Sequence, residues 1–190
     1  MLARYFPSHK PPKKESAMQT TLISLRLLFK RALLLAVFAL PATAENTPQE
    51  VINALLDDFH QAAADADRER YLGYFAADGV FMGTDDWERW PLPAFRDYVA
   101  QRFEGGTGWT YTPEERFVTM GPGGASAWFD EIVVSRRWGR FRGTGVLLKV
   151  GDHWKIAHYS LTALVPNERF EEVARITTEG FNTRATDEDD

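Results

Sequence analysis

Asp130, Arg142 and His158 interrupt three β-rich apolar runs, Ala125–Ser135, Phe141–Val150 and His153–Leu164. A charge in the middle of a strand is costly to bury, so it lines a wet cleft or meets a partner. Three such groups on neighbouring strands suggest a curved sheet around a small-molecule pocket. On the first run, strand alternation puts Trp128, Asp130, Ile132 and Val134 on one face and Phe129, Glu131 and Val133 on the other. Trp128 and two β-branched residues favour the first face as the inner one, with Asp130 inside. An aspartate there would have its pKa raised by desolvation, or stay ionised beside Arg142. It could then act as a general base or as a hydrogen-bond donor to a developing oxyanion. The competing reading is a structural Asp130–Arg142 pair or a solvated residue at the sheet edge.

His158 and Tyr159 are alternative partners, because the hairpin register decides which one enters the pocket. A two-residue Gly151-Asp152 turn pairs Val150 with His153 and sets Thr144 against Tyr159, on the face of Arg142. A three-residue loop shifts the register by one and gathers Arg142 and Thr144 with His158; a slip of one residue flips every side chain. His158 would serve as a proton shuttle, and Tyr159 as a core residue with a bonded hydroxyl. Tyr71 and Trp90 complete the candidate ligand-binding set with Trp128 and Arg142, Trp90 from a loop that could cover an apolar ligand. The acids Asp85 and Asp86 in that loop are no calcium ladder, and a metal site is not expected. Cysteine is absent and histidine numbers only 4. Thiolate chemistry, disulfides and a multi-histidine zinc site are therefore excluded or disfavoured. Gly121-Pro122-Gly123-Gly124 and Gly143-Thr144-Gly145 lack the helix a phosphate loop requires, so no cofactor is expected. Gly143 and Gly145 are read as points of sheet bending.

The elements that must position these groups are legible in outline. Thr47-Pro48-Gln49-Glu50 is a capping box, and Ile52, Leu55, Leu56, Phe59 and Ala63 follow at helical period to about Ala66. Asp67 caps a short helix, Arg68–Phe75. Asp78-Gly79 is a turn, and Val80–Met82 a short strand. Gly83–Pro93 reads as a loop, and a third helix carries Phe95, Tyr98, Val99 and Phe103 before Gly105-Gly106. Strands follow at Trp109–Thr112 and Glu114–Met120, then the three runs above. Beyond Pro166 the pattern predicts a helical turn or two, then a solvated acidic tail to Asp190. Helices segregated from a meander imply an α+β fold, with helices on one face of a strongly bent, mostly antiparallel sheet.

The N-terminus has the pattern of an export signal. Arg26, Lys30 and Arg31 precede the apolar run Ala32–Leu40, and Ala42-Thr43-Ala44 is a small-x-small cleavage site. The run is shorter than the ~20 residues a span needs, so no stable membrane span is expected after cleavage. Met18 would start a signal of ordinary length. The expected divisions are 1–44 as signal with an over-long extension, 45–168 as the domain, and 169–190 as the tail. Residues 1–44 hold seven basic residues and one acid, so their removal would take the formal charge from −5 to −11. That surface argues against nucleic acid as a partner. A cysteine-free exported chain suits a periplasmic or secreted location.

Ala77-Asp78-Gly79-Val80-Phe81-Met82-Gly83-Thr84-Asp85, Ala127-Trp128-Phe129-Asp130-Glu131 and Trp154-Lys155-Ile156-Ala157-His158-Tyr159-Ser160 together resemble a SnoaL-like domain of the nuclear transport factor 2-like superfamily. The resemblance spans about Pro48 to Glu168. It implies a cone of three helices against a bent sheet, commonly a homodimer through the sheet's outer surface. It also implies a small, largely apolar ligand in the cone. Isomerisation, dehydration or cyclisation without a cofactor is one alternative, and a non-catalytic assembly domain another. No full catalytic set of the family's enzymes can be matched residue by residue.

Overall fold

The computed structural model describes residues 46–188, with side chains to Arg184. The export-signal pattern and both start methionines lie outside the described residues. Helix α1 spans Pro48–Ala64 and begins at the expected capping box. Thr47 N–H donates to Glu50 Oε2 at 2.6 Å, and Glu50 N–H donates to Thr47 Oγ1 at 3.3 Å. Its buried face carries Ile52, Leu56, Phe59, His60, Ala62 and Ala63. Helix α2, Arg68–Gly73, is capped by Asp67 and stops before Phe75, which opens strand β1, Phe75–Met82. The Asp78-Gly79 turn signal is a register irregularity inside that strand, where Gly79 lets the backbone approach Ile156.

The expected loop at 83–93 contains a short strand, β2, Arg89–Pro91, paired antiparallel with β1. Pro91 then leads into helix α3, Leu92–Arg102. Strand β3 runs Thr112–Met120; Trp109–Tyr111, expected to be β, is an irregular connection. Strands β4, Ser126–Ser135, β5, Gly139–Val150, and β6, His153–Ala163, complete a six-stranded sheet in the order β2-β1-β6-β5-β4-β3. Only β1 and β6 pair in parallel; the other pairs are antiparallel.

The last hairpin combines both anticipated registers. Near the turn Val150 faces His153, as a two-residue loop requires, and Leu147 faces Ile156. One extra residue, Ala157, then bulges, so that Val146 faces His158 and Gly145 faces Tyr159. The bulge sends His158 to the outer face with Arg142 and Thr144, and Tyr159 to the inside.

The inner sheet face and the three helices share one core, and that core is aromatic. Phe59 stacks on Tyr71 at 4.6 Å and Phe81 on Phe95 at 4.4 Å, with the Tyr159 ring parallel to Phe81 at 5.6 Å. These rings fill the depth of the cone, so the interior is packed rather than hollow. Gly145 lies against the Phe129 ring, where an added Cβ would come within 2.5 Å.

The expected acidic tail is instead a helix, α4, Phe170–Glu188. Glu171 and Glu172 sit in its first turn, where they complement the helix dipole. Arg175 pairs with Glu179 at 2.8 Å. Arg184 ties the helix to the domain through Asp85 and Asp86, both at 2.9 Å.

Candidate functional site

The inner face of β4 carries Ala127, Phe129, Glu131 and Val133, all buried. The reading of Asp130 as the inward acid is therefore corrected: Asp130 is exposed on the outer face, and its neighbour Glu131 is only 1% exposed. Both faces of this strand are rich in apolar residues, so alternation alone did not identify the inner one. Charge compensation from elements distant in sequence decides it.

Glu131 is the hub of a buried polar cluster. Its Oε1 accepts hydrogen bonds from His60 Nε2 at 2.8 Å and from the Tyr159 hydroxyl at 3.0 Å. Its Oε2 accepts from Arg116 Nε at 2.8 Å. Arg116 in turn reaches Asp57 at 2.8 Å and the Asn53 carbonyl at 3.1 Å. Burial pushes the Glu131 carboxyl pKa up, but the hydrogen bond and charge of His60, joined by Arg116, outweigh it and hold the group below its ordinary value. Burial, then the adjacent Glu131 charge, drive the Tyr159 hydroxyl well above its usual pKa. The cluster ties α1 to β3, β4 and β6. His60 also borders a small cleft with Gln61, Thr110 and Tyr111.

His60 and Arg116 escaped the sequence reading. One signal was present: His60 falls four residues after Leu56 on the apolar face of α1. A second lay in Gly143-Thr144-Gly145. An added Cβ at Gly143 would stand 2.5 Å from the Tyr159 hydroxyl and 2.9 Å from Glu131 Oε1. The glycine makes room for the cluster.

The other expected site residues disperse. Trp128 is 49% exposed on the outer face, which Arg142 shares, exposed. His158 is half-buried there, its Nε2 3.2 Å from Met82 Sδ. Tyr71 is buried among Phe59, Phe95 and Phe103. Burial raises its hydroxyl pKa well above the ordinary value. Asp130, His158 and Tyr159 do not converge: the first two point outward with β5 between them, and the third points inward. Among the described residues no group of three His, Asp or Glu side chains is arranged to hold a metal.

Trp90 does reach a cleft. It stacks on Tyr98 at 4.4 Å and lies edge-on to Trp87 at 5.5 Å. With Phe81, Tyr98, Trp109, Tyr111 and Trp138 it walls a space of about 190 Å³ at the mouth of the cone. Glu88 and Arg102 are its charged members. Glu88 Oε2 accepts from the backbone N–H groups of Thr84 and Asp85 at 2.8 and 3.1 Å, which pins the loop at the rim.

Residues 52–166 match the model of the SnoaL-like domain family. The chain belongs to that family. This SnoaL-like domain shares its fold with solved nuclear transport factor 2-like proteins. One, of unknown function, from Pseudomonas putida, is 18% identical with a TM-score of 0.51; the match covers 62% of this chain and 87% of that one. Another, from Cytophaga hutchinsonii, is 14% identical with a TM-score of 0.53, over 63% of this chain and 100% of that one. A candidate scytalone dehydratase from Novosphingobium aromaticivorans is 12% identical with a TM-score of 0.51, over 62% and 84%. At these identities the likeness is one of fold. No curated protein matches the chain.

Proposed function

We propose that this SnoaL-like domain binds a small, largely apolar molecule of single-ring size at the mouth of its cone. The observation that carries this reading is the aromatic wall built around Trp90, with Glu88 and Arg102 as the charged members of the same lining. The volume limits the ligand. An apolar cavity of about 150 Å³ takes benzene, so a cleft of about 190 Å³ suits one ring and not a fused polycycle. Titrating tryptophan fluorescence with benzyl alcohol should give a saturable response, and 1-naphthalenemethanol should give none. Trp90→Ala should weaken benzyl alcohol binding about tenfold, the effect of losing one stacked aromatic contact. Unchanged affinity in that variant would remove the mouth as the binding site.

The domain is proposed to work as a homodimer through the outer sheet face. Phe117 and Trp128, 58% and 49% exposed, lie there with Val146 and Leu148. Asp130 and Arg142 stand on the same face with opposite charge, so two copies related by a two-fold axis can present one to the other. Light scattering at tens of micromolar protein should give a dimer mass, and Trp128→Asp should give a folded monomer. A wild-type monomer at that concentration refutes the assembly.

The N-terminal pattern supports a periplasmic or secreted location. N-terminal sequencing of protein expressed from its full reading frame should begin at Glu45. An intact Met1 or Met18 on exported protein overturns cleavage.

A further inference from the structure

Beside the mouth lies a second and larger groove, of about 490 Å³. It shares Arg102, Trp109, Tyr111 and Trp138 with the mouth, so the two spaces adjoin across these side chains. The β4–β5 turn supplies its far side with Arg136 and Arg137. No aspartate or glutamate lines this groove. Among the described residues, Arg102, Arg136 and Arg137 form no ion pair with an acid, as is also true of Arg68, Arg89, Arg96 and Arg142; what sets these three apart is that they line one groove. The Arg137 guanidinium lies 4.4 Å over the Trp138 ring, and Arg102 donates weakly to the Thr107 carbonyl at 3.4 Å. Three uncompensated guanidinium groups thus converge on one concave wall of a chain whose formal charge is −5. Anions are repelled by most of such a surface, and a local positive wall focuses them into the groove.

We infer that the ligand of the mouth is an aromatic carboxylate, its ring held by the tryptophan wall and its carboxylate by Arg102, Arg136 and Arg137. This rests on the single-ring reading and adds the charge. The guanidinium fork matches a carboxylate in two parallel hydrogen bonds, and a charge-assisted bond is stronger than the one a neutral amide accepts. The open, solvated rim also suits the chemistry: the ring is covered while the charged end stays near water. The mouth's one acid, Glu88, is fixed in its loop by two backbone N–H groups and keeps its negative charge; the three arginines of the mouth and groove outnumber it and set the preferred sign of the ligand.

The test compares phenylacetate with 2-phenylacetamide, its neutral isostere, by calorimetric titration of the wild type, Arg136→Gln/Arg137→Gln and Trp90→Ala. Arg136 and Arg137 are exposed at the β4–β5 turn, so the double variant is expected to fold as wild type; Trp90→Ala removes a half-buried ring from β2, so its titration is paired with a melting curve that shows a folded protein. Phenylacetate should bind at least about tenfold more tightly than the amide, as expected for charge-assisted hydrogen bonds. The double arginine variant should abolish that preference and leave amide binding unchanged. Raising sodium chloride from 50 to 500 mM should weaken phenylacetate alone. Equal affinity of the two probes, or a preference that survives the double variant, overturns the anionic ligand while leaving the single-ring site standing. Phenylacetate binding that depends on the arginines but not on Trp90 keeps the anion wall and rejects the mouth. Absence of binding by either probe rejects both.

Discussion

Glu131→Ala is expected to lower the stability of the domain by about 3–5 kcal/mol, while Asp130→Ala, one residue away, shifts it by less than about 0.5 kcal/mol. The difference follows from the strand's two faces. Asp130 is exposed and hydrated; Glu131 is buried and is the acceptor for His60, Tyr159 and Arg116. Removing it leaves the Arg116 guanidinium, only 7% exposed, with Asp57 as its one remaining acid, beside two polar groups without their acceptor. At about 2–4 °C per kcal/mol for a domain of this size, thermal melting should show a loss of roughly 6–20 °C. The pH dependence has a definite sign. The folded pKa of Glu131 is depressed, so its contribution is complete above the unfolded carboxyl value of about 4.3 and is lost as pH falls through the lower folded value. Glu131→Gln should flatten that acid limb. A Glu131→Ala protein that melts with wild type would show that the cluster carries no net stabilisation.

Phe81→Ala should both destabilise the fold and enlarge the ligand it accepts. The Phe81 ring lies between Phe95 at 4.4 Å and Tyr159 at 5.6 Å, and it also lines the mouth. Truncating a buried phenylalanine costs about 3–5 kcal/mol, less where the space left behind can fill. Here that space adjoins the cleft. The variant should therefore bind 1-naphthalenemethanol, which the wild type rejects, and ligand should recover part of the lost melting temperature. A folded variant that still rejects two-ring probes would show that the mouth and the plug beneath it are separate.

Local signals carried much of the architecture. The capping box at Thr47, the helical period through Phe59 and the Gly151-Asp152 turn each specify geometry within a few residues, and each reappears in the structure. The family resemblance likewise led to the right cone. The inner face of β4 was not legible, because Asp130 and Glu131 are adjacent acids between equally apolar neighbours. The choice depends on Arg116 and His60, 15 and 71 residues away in sequence. His158 and Tyr159 exchange faces through one bulged residue, Ala157, that no turn rule anticipates. Trp90 reached the mouth as expected, since its loop is anchored locally through Glu88. Helix α4 runs longer than the turn or two read from its local pattern; one of its supports, the ion pair of Arg184, reaches a loop 99 residues earlier.

Strand β6 sits between β5 and β1 and, among the described residues, forms with β1 the one parallel pairing of the sheet. A nascent chain that stops short of residue 153 therefore leaves β1 and β5 with open edges and Glu131 without the hydroxyl of Tyr159. Sheet assembly waits for almost the whole polypeptide to be synthesised, and the slow step is closure over a long sequence separation. Until that closure the edges of β1 and β5 are open templates for pairing with another chain.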